Sequence, residues 1–478
     1  MTLGEMLHTQ ALRDPEATAL ICEDEAISYG ELDESSSLLA GWLLQQGLRR
    51  GDLVAIHWCN SIEAAQVFFA AFKAGVILVP ISLLLKPPEV AWILDHSQPA
   101  ICLCQPSLAP KVLQGSDSFC RVLTALPELK SLCASVPPAV AEDEPAVLLY
   151  TSGSTSKPKG AIHTHRTLAE VTRLFVEYML DANDVLLTMT AMMHATGLGF
   201  FLSAIRLGRP AVLLPAFDPA SALDTIERLR CTCTLGLPAL LQFVVEEQVR
   251  SPRDTRALRV VFGAGHRVPA DLQERFAAVF GVPLREGFGM SETFPVCVNS
   301  SDEARPGSMG RPLPGVEVRI VDDADRDVPE GMTGEMVVRG AANCIGIGRI
   351  GVQRRHCYAA VGYTPGIWYP VIARAICGSR DVGRRSSFTE GGMSLHRRWK
   401  RCFITTPESS RQVSLGHPIR CMGNKSSRSS RYGKVQHLAK RNCGNTCEPG
   451  SPTTKYRRES SSLPNCRRTR QERFTAFP

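Results

Sequence analysis

The sequence predicts an α/β chain. It has a large N-terminal domain of helix-covered, mainly parallel sheets with a small β subdomain, and a C-terminal region with no packed fold of its own. Three observations carry this. Apolar helical stretches alternate with short β-branched runs through residue 340, which is the grammar of strands buried on both faces beneath crossover helices. A final segment before that point switches to strict apolar/polar alternation around an acidic turn, as an antiparallel hairpin does. Beyond it both periodicities stop and the charge balance inverts: residues 341–478 hold 26 Lys+Arg against 6 Asp+Glu, whereas residues 1–340 hold 28 against 41.

In chain order, Glu63 to Ala74 is expected to be a helix and Val76 to Pro80 a short strand. Ala211–Leu214 and Arg259–Phe262 read as buried strands. Turn chemistry separates such elements at Gly51-Asp52, Gly208-Arg209-Pro210 and Gly281-Val282-Pro283. Gly315 to Gly340, with VEVRIVDDADRDV and GEMVVRG, is the expected hairpin. The most apolar stretch, Ala64 to Leu85, is broken by Lys73, Gly75 and Pro80 and reads as a buried helix and strand, not a membrane span. The 478 residues suit more than one domain, with the boundary predicted between 1–346 and 347–478.

The 17 cysteines are odd in number and irregular in spacing, which argues against a disulfide framework. Cys102/Cys104 and Cys231/Cys233 lack paired histidines at ligand spacing and read as reduced core thiols. The first twenty residues have an acid at Glu5 and no apolar h-region, so they do not form a secretory signal. A reducing, cytoplasmic location is the expectation.

The strongest local signal is Leu148 to Gly160, LLYTSGSTSKPKG. An apolar run feeds a loop dense in Gly, Ser and Thr and closed by two lysines. Small residues let backbone N–H groups wrap phosphate oxygens, hydroxyls add donors and a lysine adds charge. It is not a Walker A loop, because that spacing is absent and Pro158 removes a donor. The competing reading is a flexible Ser/Thr surface turn. A second constellation, Glu286 to Thr293 (EGFGMSET), follows strand-like Val282–Leu284. It sets an aromatic between glycines, suited to stacking on a base, beside a hydroxyl and a carboxylate suited to a hard cation. Its bland alternative is a glycine-rich turn with an incidental acid. Phe262-Gly263-Ala264-Gly265 ends another strand with small residues, where a ring could approach the backbone.

Together these residues resemble the adenylate-forming superfamily: acyl-CoA synthetases, peptide-synthetase adenylation domains and firefly luciferase-like enzymes. The resemblance runs in order over roughly residues 1–345. It includes Ser28 to Ile56, the Thr/Ser/Gly loop, Met193-His194-Ala195-Thr196-Gly197, Gly236-Leu237-Pro238, the FGAG strand end, EGFGMSET, Gly307–Pro314 and Gly334–Gly340. It implies an AMP-forming acid–thiol ligase: a carboxylate attacks the α-phosphorus of ATP to give acyl-AMP and pyrophosphate, and coenzyme A then displaces AMP. By the same resemblance, Thr151, Ser152, Gly153, Ser154, Thr155 and Lys159 hold the β- and γ-phosphates, and Thr151 with Glu292 holds Mg²⁺. Gly263, Ala264 and Gly265 with Glu286, Gly287 and Phe288 frame the adenine. Ser291 meets the α-phosphate and His194 stands at the acyl pocket, so Lys159, His194, Ser291 and Glu292 form the implied catalytic set. Ser156 departs from the family's usual glycine, at a cost of about 1 kcal/mol if the position needs a positive φ. His163 and His165 read as structural rather than catalytic.

The family continues into a small domain carrying a ribose-binding Asp, a hinge, an Arg and a late catalytic Lys. None of these is legible in residues 347–478, where Asp381 is the only Asp. Joining the last base of each codon to the first two of the next recovers them in part. Arg398 to Thr406 can then yield VEEVLYHH, Tyr363 to Trp368 can yield YTGDL, and Gly416 to Asn424 can yield ASDPLYGE, all family-like. A one-base loss near the Gly346 codon is therefore expected, with the basic tail translated out of frame and adenylation by the literal chain impaired.

The alternative is a non-enzymatic polyanion or nucleic-acid binder acting through that tail. The tail's scattered aromatics and lack of a recognisable motif weigh against specific nucleic-acid binding. The expected partners are a small carboxylic acid and coenzyme A, with oligomeric state open. A fatty or medium-chain acid is the default, with an aryl or carnitine-like acid close behind. An amino acid is disfavoured because no Asp stands in residues 190–200 to pair an α-amine.

Overall fold

A computed structural model describes residues 1–348 apart from 115–119, 133–138, 152–157, 300–305 and 323, and beyond them the strands Tyr369–Ile376, Ser387–Thr389 and Phe403–Thr405. Two large sheets organise the described residues. The nine-stranded sheet runs, in spatial order, Arg311–Pro312, Thr293–Val298, Leu284–Met290, Val260–Gly263, Cys233–Gly236, Leu186–Thr188, Ala211–Leu213, Thr18–Cys22 and Glu25–Ser28. The seven-stranded sheet runs Gly346–Ile347, Lys159–Thr164, Pro145–Thr151, Ile77–Pro80, Leu53–His57, Ile101–Cys104 and Arg121–Leu123. Their middles are parallel, as predicted.

Strand alternation explains why these runs are apolar throughout. Val54 and Ile56 face one core while Leu53 and Ala55 face another. Likewise Val260 and Phe262 join the core shared with Val54, whereas Val261 faces a separate one. The shared core therefore lies between the two sheets and takes in the helices Leu3–Arg13, Tyr29–Gln45, Ile62–Ala74, His165–Tyr178 and Ala195–Leu207. The outer faces carry Pro87–Ser97 on one sheet and Pro219–Leu229, Pro238–Arg250 and Ala270–Phe280 on the other.

The helix Ile62–Ala74 illustrates the local logic. The Ser61 hydroxyl accepts the Ala64 N–H at 3.2 Å, and Gly75 ends the helix at φ +67°. Ten of its thirteen residues are buried, so it lies inside the shared layer. Phe68 and Phe69 both meet Phe72 edge-on, at 6.4 and 5.8 Å. Ala64 to Leu85 is thus a buried helix and then the strand Ile77–Pro80, and among the described residues no helix is long and apolar enough to cross a membrane.

The predicted hairpin is present as Glu317–Val321 antiparallel to Thr333–Arg339. Its sheet has a third strand, Tyr369–Ile376, antiparallel to Thr333–Arg339, which the sequence reading did not anticipate. Ser387–Thr389 and Phe403–Thr405 also pair antiparallel, in a segment read as having no packed fold; the expectations for the other residues of 349–478 lie outside the described residues. Cys102, Cys104, Cys231 and Cys233 are buried free thiols within the sheet cores.

Candidate functional site

Each large sheet carries an antiparallel hairpin at an edge that holds predicted site residues; the nine-stranded sheet is antiparallel at its far edge as well, where Thr18–Cys22 pairs with Glu25–Ser28. On the seven-stranded sheet Pro145–Thr151 turns back into Lys159–Thr164, placing Thr151 opposite Lys159. The predicted phosphate-loop residues Ser152, Gly153, Ser154 and Thr155 lie outside the described residues, as does the Thr151 side chain. Space is tight at Gly160: an added Cβ would sit 2.6 Å from Leu148 Cδ1, a side-chain end that can move, and 3.1 Å from the Gly348 carbonyl.

On the nine-stranded sheet Val260–Gly263 runs parallel to Leu284–Met290, bringing Gly263 beside Glu286. EGFGM is itself strand, not the turn that glycine content suggests; only Ser291 and Glu292 turn the chain into Thr293–Val298. The Ala264 N–H donates to the Gly236 carbonyl at 3.1 Å, and Gly265 has φ +82°. The glycine pair thus frames a narrow backbone ledge beside Glu286, Gly287 and the half-buried Phe288.

Two carboxylates dominate the electrostatics. Glu286 and Glu292 are both buried, and Oε2 of each lacks a hydrogen-bond partner. Burial raises Glu286 to about 7, against the Val268 N–H and the Arg267 charge. Burial also raises Glu292, opposed by its own backbone N–H and by Lys159. Lys159 is lowered in turn by burial, with Glu292 opposing. A buried carboxylate with an open oxygen is costly unless a cation or donor meets it, so Glu292 fits a hard divalent ion. Among the described residues no group of three or more His, Cys, Asp and Glu could hold a metal; one carboxylate plus substrate phosphates is the donor set that suits Mg²⁺.

His194 caps the helix Ala195–Leu207, its Nδ1 accepting the Thr196 N–H at 3.4 Å. The imidazole is open to solvent yet walled by protein, and desolvation lowers its pKa. The helix reaches this loop because of Gly197, where a Cβ would lie 2.2 Å from the Ala191 carbonyl.

Sequence reasoning missed Asn60, whose amide donates to the Thr190 carbonyl at 3.0 Å and accepts the Met192 N–H at 2.8 Å. It thereby holds the loop that leads to His194, and a lone Asn gave no signal of this. Residues 343–348, which lead through the edge strand Gly346–Ile347, were missed too. Cys344 N–H donates to the Glu292 carbonyl at 2.7 Å, and Gly348 N–H to the Gly160 carbonyl at 2.8 Å. The Cys344 thiol, pushed up to about 12 by burial and Glu292, stays protonated. His165, pushed down to about 4 by burial, accepts the Leu3 N–H, a structural role as expected.

Residues 7–347 match the family described as AMP-binding enzyme. The chain belongs to that family. The AMP-binding chain is 31% identical over 345 residues to a feruloyl-CoA synthase of Amycolatopsis sp, covering 71% of this chain and 70% of that one. It is 30% identical over 359 residues to an indoleacetate–CoA ligase of Aromatoleum aromaticum, again covering 71% and 70%. Its fold matches ATP-bound MatB from Rhodopseudomonas palustris with a TM-score of 0.70 at 23% identity, over 87% of this chain and 84% of that one. These relationships establish an AMP-forming acyl-CoA ligase of the adenylate-forming superfamily, a class that uses ATP, coenzyme A and a carboxylic acid.

Proposed function

We propose that residues 1–346 are the adenylation domain of a ligase for an apolar-bodied carboxylic acid. The observation that carries the site assignment is the buried, open oxygen of Glu292 in the electrostatic range of Lys159. Two anions must meet in the first step, as the acid's carboxylate attacks the α-phosphorus and charge moves toward pyrophosphate. In this reading Lys159 and Thr151 to Thr155 grip the β- and γ-phosphates and Ser291 meets the α-phosphate. Glu292 with Thr151 holds magnesium, which supplies charge neutralisation at the phosphate oxygens. Gly263 to Gly265 and Glu286 to Phe288 frame the adenine. His194, kept neutral by desolvation, orients the acid without forming a fixed ion pair.

Relatives that act on ferulate, indoleacetate and medium-chain fatty acids support an apolar acyl body, aryl or alkyl. Residues 347–478 are the out-of-frame remainder of the family's small domain, so the chain as translated binds Mg·ATP but adenylates poorly. Calorimetry with Mg·ATP, followed by pyrophosphate release across aryl, alkyl and amino acids, tests this. Absence of adenine-nucleotide binding overturns the site assignment, and turnover of amino acids alone overturns the substrate class. Sequencing the genomic locus tests the frame: an intact reading frame identical to this one refutes the tail's origin.

A further inference from the structure

The Ser291–Glu292 turn is held from behind by a histidine that the reaction scheme does not use. His163 is fully buried on the strand Lys159–Thr164, the same strand that begins with the phosphate-side lysine. Its Nε2 lies 2.7 Å from the Ser291 carbonyl, 128 residues away in sequence, and its Nδ1 lies 3.1 Å from Thr167 Oγ1. A carbonyl can only accept, so Nε2 carries the proton and Nδ1 is left as an acceptor facing the Thr167 hydroxyl, whose single proton it shares with the Thr164 carbonyl, also at 3.1 Å. The ring edge meets Phe294 at 5.8 Å and 75°. Burial pushes His163 down to about 4, which keeps the ring neutral at physiological pH.

The Ser291 carbonyl belongs to the peptide plane that enters Glu292, and fixing that plane fixes the direction of the following Cα. The carbonyl that leaves Glu292 is fixed as well, by the Cys344 N–H at 2.7 Å. Thr293 is anchored by its hydroxyl, which donates to Asn343 Oδ1 at 2.9 Å. Glu292 therefore sits between clamped peptides, one held from the lysine-bearing hairpin and one from Asn343 and Cys344. A neutral donor suits the first position, because a cationic one would compete with any metal for the same carboxylate.

We propose that His163 is a positioning residue that locks the Ser291–Glu292 turn to the Lys159 hairpin and so sets where the Glu292 carboxylate meets the metal. This rests on the reading of Glu292 as the magnesium tether. The test uses the full chain and compares ATP affinity by calorimetry with magnesium and with EDTA, alongside thermal unfolding. In His163→Asn the amide ends short of Ser291; in His163→Gln an N–H can still reach it. The Asn variant is expected to lose about tenfold of the magnesium-dependent gain in affinity, as one buried hydrogen bond is worth. Its metal-free affinity, which involves Ser291 but not the metal, should fall much less, and the Gln variant should recover most of the gain. Equal behaviour of the two variants, or equal losses with and without magnesium, overturns the positioning role. A wild-type chain that binds ATP without any magnesium-dependent gain removes the Glu292 reading itself, and the His163 proposal with it.

Discussion

The seven-stranded and nine-stranded sheets are alike in their middles and differ at the edges that face the site. Both middles are parallel, apolar on two faces and buried under helices. Each then adds an antiparallel hairpin, and the hairpins carry opposite charge: Lys159 on one, Glu292 on the other. They also turn differently. The seven-stranded edge spends residues 152–158 between its strands, whereas the nine-stranded edge turns within Ser291 and Glu292. A long connection can wrap a triphosphate; a tight one can aim a single carboxylate. On the proposed reading, the divergence between the hairpins divides phosphate binding from metal binding.

Removing one charge from each hairpin breaks this comparison most sharply. Lys159→Met should weaken ATP binding on the order of 30–100-fold with or without magnesium, since a charged contact to phosphate is worth about 2–3 kcal/mol. Glu292→Gln should weaken it by a similar factor only when magnesium is present. Calorimetry in magnesium and in EDTA separates the two. Equal losses for both variants under both conditions would mean the hairpins do not divide phosphate from metal.

Asn60→Leu acts on stability instead: it strips both hydrogen bonds from the loop before His194 and leaves a buried carbonyl and N–H unsatisfied. Stability should fall by about 2–4 kcal/mol in urea unfolding. ATP affinity of the folded protein should hold, because the hairpins are untouched. A parallel loss of ATP affinity would show that the loop and the hairpins are one unit.

The two buried glutamates sharpen the comparison through pH. Glu286 is raised from 4.5 to about 7, so the folded state holds its proton more tightly than the unfolded state. Its contribution is fully present below about pH 4.5 and is lost as pH rises to about 7. Glu286→Gln keeps the neutral form at every pH. It should flatten the stability profile over that window, leaving the variant on the order of 1–3 kcal/mol more stable near pH 8 relative to its own advantage at pH 4. An unchanged slope in unfolding titrations across the window would place the proton elsewhere.

Legibility in the sequence followed the range of the physics involved. The family could be read because its motifs, LLYTSGSTSKPKG, FGAG and EGFGMSET among them, are each contiguous in sequence. The helix Ile62–Ala74 and the strand Val260–Gly263 followed from periodicity and length. EGFGM was harder: glycine lowers strand propensity, yet pairing with Thr293–Val298 overrides it. Asn60 and the His163–Ser291 bond were invisible because each joins residues more than a hundred positions apart through a single side chain. The strand Tyr369–Ile376 lay in a segment whose Arg-rich composition hid a short apolar run.

The smallest expected effect concerns glycines that serve fold and ligand separately. At Gly197 a Cβ would stand 2.2 Å from the Ala191 carbonyl, a backbone atom that cannot yield cheaply, so Gly197→Ala should cost about 1–3 kcal/mol of stability. At Gly287 the nearest atom to an added Cβ is Met179 Cε at 3.9 Å, an ordinary contact, and the backbone is extended strand. Gly287→Ala should therefore change stability by less than about 1 kcal/mol. If bareness there exists for the base, the same variant should bind ATP a few-fold more weakly while its affinity for inorganic pyrophosphate stays level. That pairing distinguishes a ledge kept clear for adenine from a glycine retained for packing: unfolding midpoints would move for Gly197→Ala alone, and nucleotide affinity for Gly287→Ala alone. Unchanged ATP binding in the second variant would move the base away from Glu286–Phe288 while leaving the hairpin chemistry intact.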